Sequence, residues 1–411
     1  MKVIGQVPPI LLYTLVSLST LTETIYSSAL PQIANQLNTE RGIAQLSTTT
    51  YFFGFALGIF TLGRISDFYG RRPVILFGIS FYVISNILIC QSTNINTFIA
   101  LRFLQAYGAS VGSVISQAMT RDSYKGWELS YIFASVAVVM SIMPAIGSAI
   151  GGYLIEYFQE WQYIFYFLTA LSSTMLIIYI KFLPETNANI GKTEENRFLN
   201  LFKIIIKDKI LLCNAFIIGI FNGISFSFYI QAPFIFVEKL HMQSSTYGKL
   251  ILILSLSNLL GGLVAKQMIK KYVDTLKIRM IGFALSIVGC TFLLVGSFIT
   301  PFLETSLIYY VISIFIPMAI HMVGHSMITP MILRHSLEDY NKVAGSAGSI
   351  FGFLYYIIVA MVSFLVSLFH SDNIDNYAYV FTIFLMISII LFCYTVKAKK
   401  NIQNNQTLKK Q

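Results

Sequence analysis

Apolar runs of about 20 residues recur along the whole chain, and they limit its fold more than any other feature. Wound as a helix, a run of that length crosses a hydrocarbon layer about 30 Å thick. The runs are continuous, whereas a transmembrane β-barrel would alternate apolar and polar positions. Of the 411 residues 56% are hydrophobic and 11% charged, too few charges to cover a soluble surface of this size. The expected fold class is therefore an all-α polytopic membrane protein.

Twelve spans are predicted, over residues 9–30, 44–65, 73–91, 97–119, 130–154, 161–182, 209–236, 247–267, 277–300, 306–332, 343–369 and 376–396. The long polar connector, residues 183–208, follows the sixth and holds Glu185, Lys192, Glu194, Glu195, Arg197, Lys203 and Lys207. The chain thus divides into a six-helix bundle over 1–182, a linker over 183–208, a second bundle over 209–396 and a basic tail over 397–411. With loops sorted alternately, 24 of the 28 lysines and arginines fall on the side of the termini. Arg41, Lys239 and Lys249 fall on the other, and Arg102 lies inside the fourth span. Cytoplasmic loops carry such an excess, so both termini are expected in the cytoplasm. The first run is too long for a signal-peptide core and is read as the first span.

The net charge of +10 does not mark a nucleic-acid binder, because the basic residues are spread over short loops. Cys90, Cys213, Cys290 and Cys393 all fall in apolar runs and carry neither a disulfide framework nor metal-ligand spacing. Gly108-Ala-Ser110-Val-Gly112 fits a hydrolase pattern that needs a strand-turn-helix elbow, but it lies inside a span. There is no phosphate-binding loop and no zinc-protease motif. No enzyme and no cofactor or metal is expected.

Once the charges at the span ends are sorted into the loops, two are left inside the membrane, Glu23 in the first span and Arg102 in the fourth. A charge at the centre of a bilayer costs about 3 kcal/mol on insertion scales, so such residues face a cavity or a partner. The functional reading is proton coupling; the bland one is that they pair with each other or with backbone and fix packing. His321 and His325 are four residues apart in the tenth span and share a face, without a third ligand in view. They are read as satisfied or cavity-lining residues. Asn222, Gln231 and Asn258 join helices or touch substrate. Gly108/Gly112, Gly147/Gly151 and Gly348/Gly352 let helices approach closely. Pro144, Pro233, Pro317 and Pro330 lie in spans and should kink them.

The loop between the second and third spans reads Gly63-Arg-Ile-Ser-Asp67-Phe-Tyr-Gly70-Arg71-Arg72-Pro73. A worn copy with the same spacing, Gly262-Leu-Val-Ala-Lys266-Gln-Met-Ile269-Lys270-Lys271, joins the eighth and ninth spans. Parallel halves related by a pseudo-two-fold give this kind of repeat. The first loop resembles the signature of the major facilitator superfamily, and the twelve spans and central linker agree with it over essentially the whole chain. Arg102-Phe-Leu-Gln105-Ala-Tyr-Gly108 is similar to the fourth-span motif of the drug:proton antiporters. Arg121-Asp122 after that span resembles the Bcr/CflA subfamily, named for bicyclomycin and chloramphenicol resistance. Pro144-Ala-Ile-Gly147 with Gly151-Gly152 is similar to the fifth-span antiporter motif, and Tyr26-x-x-Ala29-Leu30-Pro31 to the end of the first span.

Two departures stand out. The subfamily's first-span aspartate falls at Thr24 here, with Glu23 one residue earlier, about 100° around the helix. Its fifth-span Gly-Pro is Gly147-Ser148. The resemblance implies a monomer in the bacterial inner membrane, without nucleic-acid partners, that exports amphipathic small molecules in exchange for protons. It assigns the Asp67 loop, with Gly63, Gly70, Arg71 and Arg72, to a cytoplasmic gate. Glu23 and Arg102 become the coupling residues, and Tyr26 joins the amides and histidines as a cavity candidate. A dedicated metabolite or siderophore exporter and a proton-coupled uptake symporter are the alternatives.

Overall fold

A computed structural model describes residues 5–188, 190–191, 195–299, 307–369 and 374–408. Lys2, Lys192, Glu194, Thr300, Ser306, Lys409 and Lys410 lie outside the described residues. Twelve membrane helices are arranged as two bundles. They are α1 (Pro9–Thr24), α2 (Arg41–Tyr69), α3 (Arg71–Cys90), α4 (Ile95–Ser123), α5 (Gly126–Phe158) and α6 (Gln162–Phe182), then α7 (Lys209–Lys239), α8 (Ser244–Lys270), α9 (Thr275–Ile299), α10 (Leu307–Tyr340), α11 (Ala344–Leu368) and α12 (Ile374–Leu408). Among the described residues eleven are long and apolar enough to cross a membrane, and α1, at 16 residues, is not. The predicted first span breaks at a 3₁₀ turn, Ser27–Ala29, and resumes as Leu30–Gln36. Pro31 lacks the N–H that would continue the α-helical ladder through this turn.

Two expected kinks carry π turns. Pro233 is followed by one at Phe234–Lys239, and Pro317 is preceded by one at Val311–Phe315. Pro144 and Pro330 lie within continuous helix. The linker is not simply polar: Glu195–Lys207 is an amphipathic helix. Its Phe198 and Phe202 pack on Phe60 of α2, which also meets Phe353 of α11 at 4.8 Å. Asp208 then starts α7 by accepting hydrogen bonds from the Ile210 and Leu211 N–H groups at 3.1 and 3.0 Å. The tail expected from residue 397 continues α12 to Leu408.

The bundles meet along two seams, α2 with α11 and α5 with α8. One face of α2 supplies the first. Arg41, Gln45, Thr49, Phe52 and Phe60 recur at helical spacing, and each touches the second bundle. The second seam closes on the face opposite the termini. There Gly152 lies against the Ser244 backbone and Gly248 against Ala149. Toward the terminal face the seam opens. Gly262, off the exposed stripe of Ile253, Leu256, Leu260 and Leu263, has nothing within 4 Å of where a side-chain carbon would stand. Gly348 is equally open, so the Gly348/Gly352 pair does not make the close helix approach its spacing suggests. Gly108 and Gly112 do make it, against α3 and α1, and Gly147 and Gly151 against α1.

Gly151 and Gly152 should therefore respond differently to substitution. Gly151→Val drives a side chain into the Ile25 carbonyl inside the first bundle. It is expected to cost about 1–3 kcal/mol, read as a lowered melting temperature in detergent. Gly152→Val meets the other bundle instead. It should leave melting nearly unchanged while increasing labelling of a cysteine placed at Ser245.

Candidate functional site

The site is built around a guanidinium with no carboxylate on it. Arg102 of α4 is fully buried. Its Cζ lies 3.8 Å from the centre of the Tyr26 ring and 4.4 Å from that of Tyr51, so two aromatic faces hold the charge. Nη1 donates to Gln105 Oε1, one turn on. Gln105 Nε2 donates to Asn86 Oδ1 of α3 at 2.6 Å, and Asn86 Nδ2 donates to the Tyr82 carbonyl at 2.8 Å. Tyr26 Oη bonds Thr48 Oγ1 of α2. The Arg102 Nε and Nη2 donors have no hydrogen-bond partner.

Glu23, one helical turn before Tyr26, is also buried. Its Oε1 accepts from Tyr356 Oη of α11 at 3.3 Å. It forms no ion pair with Arg102 in this conformation, so neither charge neutralises the other directly. Beside it, Thr22 Oγ1 donates to the Leu18 carbonyl at 2.6 Å and accepts from Tyr82 Oη at 2.7 Å. Tyr51, Phe52 and Phe55 from α2, Phe226 from α7, and Tyr355 and Tyr356 from α11 surround this centre of the seam.

The opposite face is sealed by polar contacts between the bundles. Arg41 Nη2 pairs with Glu238 Oε1 at 2.9 Å, Gln45 Nε2 donates to Gln231 Oε1 at 3.1 Å, and the Ser245 N–H donates to Glu156 Oε2 at 3.1 Å. Gln231 is therefore a seam residue. Asn222 instead bonds the Ile218 carbonyl of its own helix at 2.9 Å, and Asn258 is half-buried on α8. His321 and His325 stack face to face inside the second bundle against Phe221, with Phe381 beside His321. They do not line the seam. Among the described residues no third histidine, cysteine, aspartate or glutamate joins them as a metal site.

On the terminal face the Gly63–Pro73 stretch forms a charged hub; it is not the expected loop but the end of α2, a turn at Gly70 alone, and the start of α3. Asp67 pairs with Arg71, whose Nη1 also donates to Ser66 Oγ at 2.7 Å and whose Nε reaches Asp122 Oδ2 at 3.2 Å. The linker completes the hub. The Glu185 carboxylate accepts from the backbone N–H groups of Arg71, Arg72, Thr186 and Asn187, at 2.9, 3.1, 3.0 and 2.9 Å. It thus caps the positive end of α3. Gly70, at φ +100°, makes the turn and leaves room for that carboxylate. Arg72 Nη2 holds the Ile180 carbonyl at 2.7 Å, and Arg121 lies over Phe133. In the worn copy Lys266, Lys270 and Lys271 are exposed, and the positive φ falls at Tyr272.

The sequence pattern of the Major Facilitator Superfamily matches residues 12–363. The chain belongs to this superfamily. Its superfamily relatives include an uncharacterized transporter of Rickettsia bellii, 47% identical over 395 residues, covering 96% of this chain and 98% of the relative. A bicyclomycin resistance protein homolog of Haemophilus influenzae is 24% identical over 394 residues, covering 92% and 93%. The solved D-xylose–proton symporter superposes with a TM-score of 0.75 at 11% identity, over 94% of this chain and 96% of that one, a likeness of fold. Superfamily membership makes the chain a membrane-embedded transporter of small molecules rather than an enzyme.

Asn86, Tyr82, Thr48, Tyr51, Tyr356 and Glu185 escaped the sequence reading. Asn86 is an amide in an apolar run, a signal of the kind that singled out Asn222. Tyr51, Tyr82 and Tyr356 are three of 24 tyrosines and carry no local mark. Arg279, near the start of α9, is buried with its guanidinium over Phe392.

Replacing Glu185 by alanine strips four backbone N–H groups of their acceptor. Trypsin cleavage after Arg71 should then rise several-fold in limited proteolysis, with a lower melting temperature; the Arg72–Pro73 bond is not a trypsin site. Glu185→Gln, which keeps two acceptor lone pairs, should fall between.

Proposed function

We propose that this chain exports amphipathic small molecules of the drug class across the bacterial inner membrane, driven by protons entering through it. The observation that carries the reading is Glu23, a buried carboxylate at the centre of the seam, beside a buried but unpaired Arg102. A carboxylate whose surroundings alternate between the two faces can take a proton on one side and release it on the other. Arg102 biases that step through the shared tyrosine layer. Export rather than uptake is favoured by the likeness to a bicyclomycin resistance protein homolog.

With the termini in the cytoplasm, the conformation described above faces inward. The Arg41–Glu238 and Glu156–Ser245 contacts then form the outer seal, and the Asp67–Arg71–Asp122 hub braces the inner loops. In the outward-facing state the hub approaches the second bundle and acts as the inner gate.

In proteoliposomes loaded with chloramphenicol, an inward-directed proton gradient should drive the drug out through wild-type protein oriented with its termini inside. Glu23→Gln should abolish gradient-driven flux and retain drug binding. Arg102→Ala should lower flux at least tenfold, and Arg102→Lys should recover part of it, because lysine keeps the charge and loses the planar fork. Flux of the opposite sign, or wild-type flux in Glu23→Gln, overturns the reading. In a pump-deficient host, Asp67→Asn should raise susceptibility to chloramphenicol and bicyclomycin toward that of the empty host.

A further inference from the structure

Glu23 lies on α1 of the first bundle, and the hydroxyl that reaches it comes from α11 of the second. The other polar contacts between the bundles, Arg41–Glu238, Gln45–Gln231, Thr49–Ser363 and Glu156–Ser245, lie toward the opposite face. At the level of the aromatic layer, the Tyr356–Glu23 hydrogen bond is therefore the polar link across the seam among the described residues. Tyr356 is held in place by its neighbours rather than by this bond. Its ring sits 4.7 Å from Phe55, 6.2 Å from Phe52 and 4.5 Å from Tyr355. The hydroxyl is thus presented at a fixed point, and separation of the bundles must remove it from the carboxylate.

From this geometry we infer that Tyr356 is a positioning residue for proton transfer at Glu23, making the carboxylate's proton affinity depend on the contact between the bundles. The inference rests on the coupling role proposed for Glu23. A phenol O–H can donate to an ionised carboxylate, and the hydrogen bond is stronger when the acceptor carries the charge. The ionised form therefore favours the conformation in which Tyr356 is in place. A proton on Glu23 weakens that tie and lets the bundles rearrange, while withdrawal of Tyr356 favours keeping the proton. The other titratable groups around Glu23 are Tyr26 beyond α1, Tyr51 of α2, Tyr82 of α3, Arg102 of α4 and Tyr355 of α11. Within this set Tyr356 is the group that both bonds the carboxylate and belongs to the other bundle.

The test needs no transported substrate. Spin labels at Lys125 and Tyr272, exposed loop positions on the terminal face of opposite bundles, report opening in full-length protein whose four cysteines are replaced by serine. Interlabel distances in lipid nanodiscs are measured from about pH 5 to 9. Wild type should shift from a long to a short distance as pH falls, and Glu23→Gln should abolish this dependence. Tyr356→Phe keeps the ring packing and removes only the hydroxyl. It should move the midpoint up by about one pH unit, the tenfold change in proton affinity expected from losing a hydrogen bond to a charged group. Thr49→Val removes a different hydrogen bond between the bundles and should alter the two plateaus without a comparable midpoint shift. In the Glu23→Gln background, Tyr356→Phe should change nothing further.

A midpoint in Tyr356→Phe no different from that in Thr49→Val overturns the inference, as does an equal shift in the Glu23→Gln background. A Glu23→Gln variant that titrates like wild type sinks the coupling reading itself. Should Tyr356→Phe misassemble, fluorinated tyrosines at position 356 vary the acidity of the hydroxyl at constant shape. The midpoint should then fall steadily as the phenol becomes more acidic, and a constant midpoint overturns the inference.

Discussion

The burial of Arg102 without a carboxylate sets the terms for the first bundle. Placing a guanidinium at membrane depth costs about 3 kcal/mol on insertion scales. Two aromatic faces at about 1–2 kcal/mol each and one charge-assisted hydrogen bond of about 1.5–3 kcal/mol offset it. That compensation requires Tyr26 and Tyr51 to meet over the guanidinium from different helices. It also requires Asn86 and Gln105 to face one another across α3 and α4. The break after α1 follows the same logic. Tyr26 stands where the helix gives way to a 3₁₀ turn, and its hydroxyl bonds Thr48. Four helices are thereby fixed around one charge, and the carboxylate of Glu23 is left to another partner.

That partner lies across the seam, so the chemistry of the first bundle depends on its contact with the second. The face of α2 that carries Arg41, Gln45, Thr49, Phe52 and Phe60 changes character along its length, polar at the sealed end and aromatic at the centre. Polar contacts at the sealed end can be exchanged for water at little cost when the bundles part, because hydrogen bonds to water replace them. In this conformation the aromatic centre packs around Glu23 and buries it. On the terminal face the linker helix bridges α2 and α11 through Phe198 and Phe202, while α5 and α8 stand apart. In this conformation one seam is packed along its length while the other is open at one end.

What could be read from the sequence follows from how local each signal is. Span number and the two-half plan rest on run length, and the burial of Glu23 and Arg102 on the rarity of charge in those runs, so these were legible. The break at Ser27–Ala29 was not, because hydropathy is continuous through residue 30 and Pro31 alone does not fix where the helix yields. The hub was half legible. Asp67, Arg71 and Asp122 stood out as motif residues, but Glu185 looked like one more linker charge, and only the fold brings it to the start of α3. His321 and His325 show the converse. Their spacing correctly placed them on one face, yet helix rotation turns that face toward Phe221 and Phe381 rather than the seam.

The shift of the first-span acid from position 24 to position 23 takes its meaning from this arrangement. Thr24 Oγ1 donates to the Pro144 carbonyl at 2.6 Å, so a side chain at 24 points into α5 of the same bundle. Position 23, about 100° around the helix, points to the seam and to Tyr356. A carboxylate at 24 would meet a carbonyl oxygen and the close approach of Gly147, with like partial charges facing in a dry place. A carboxylate at 23 meets a hydroxyl donor carried by the second bundle. Moving the acid by one residue therefore transfers it from a packing contact within one bundle to the contact between bundles, where its protonation and their separation can govern each other.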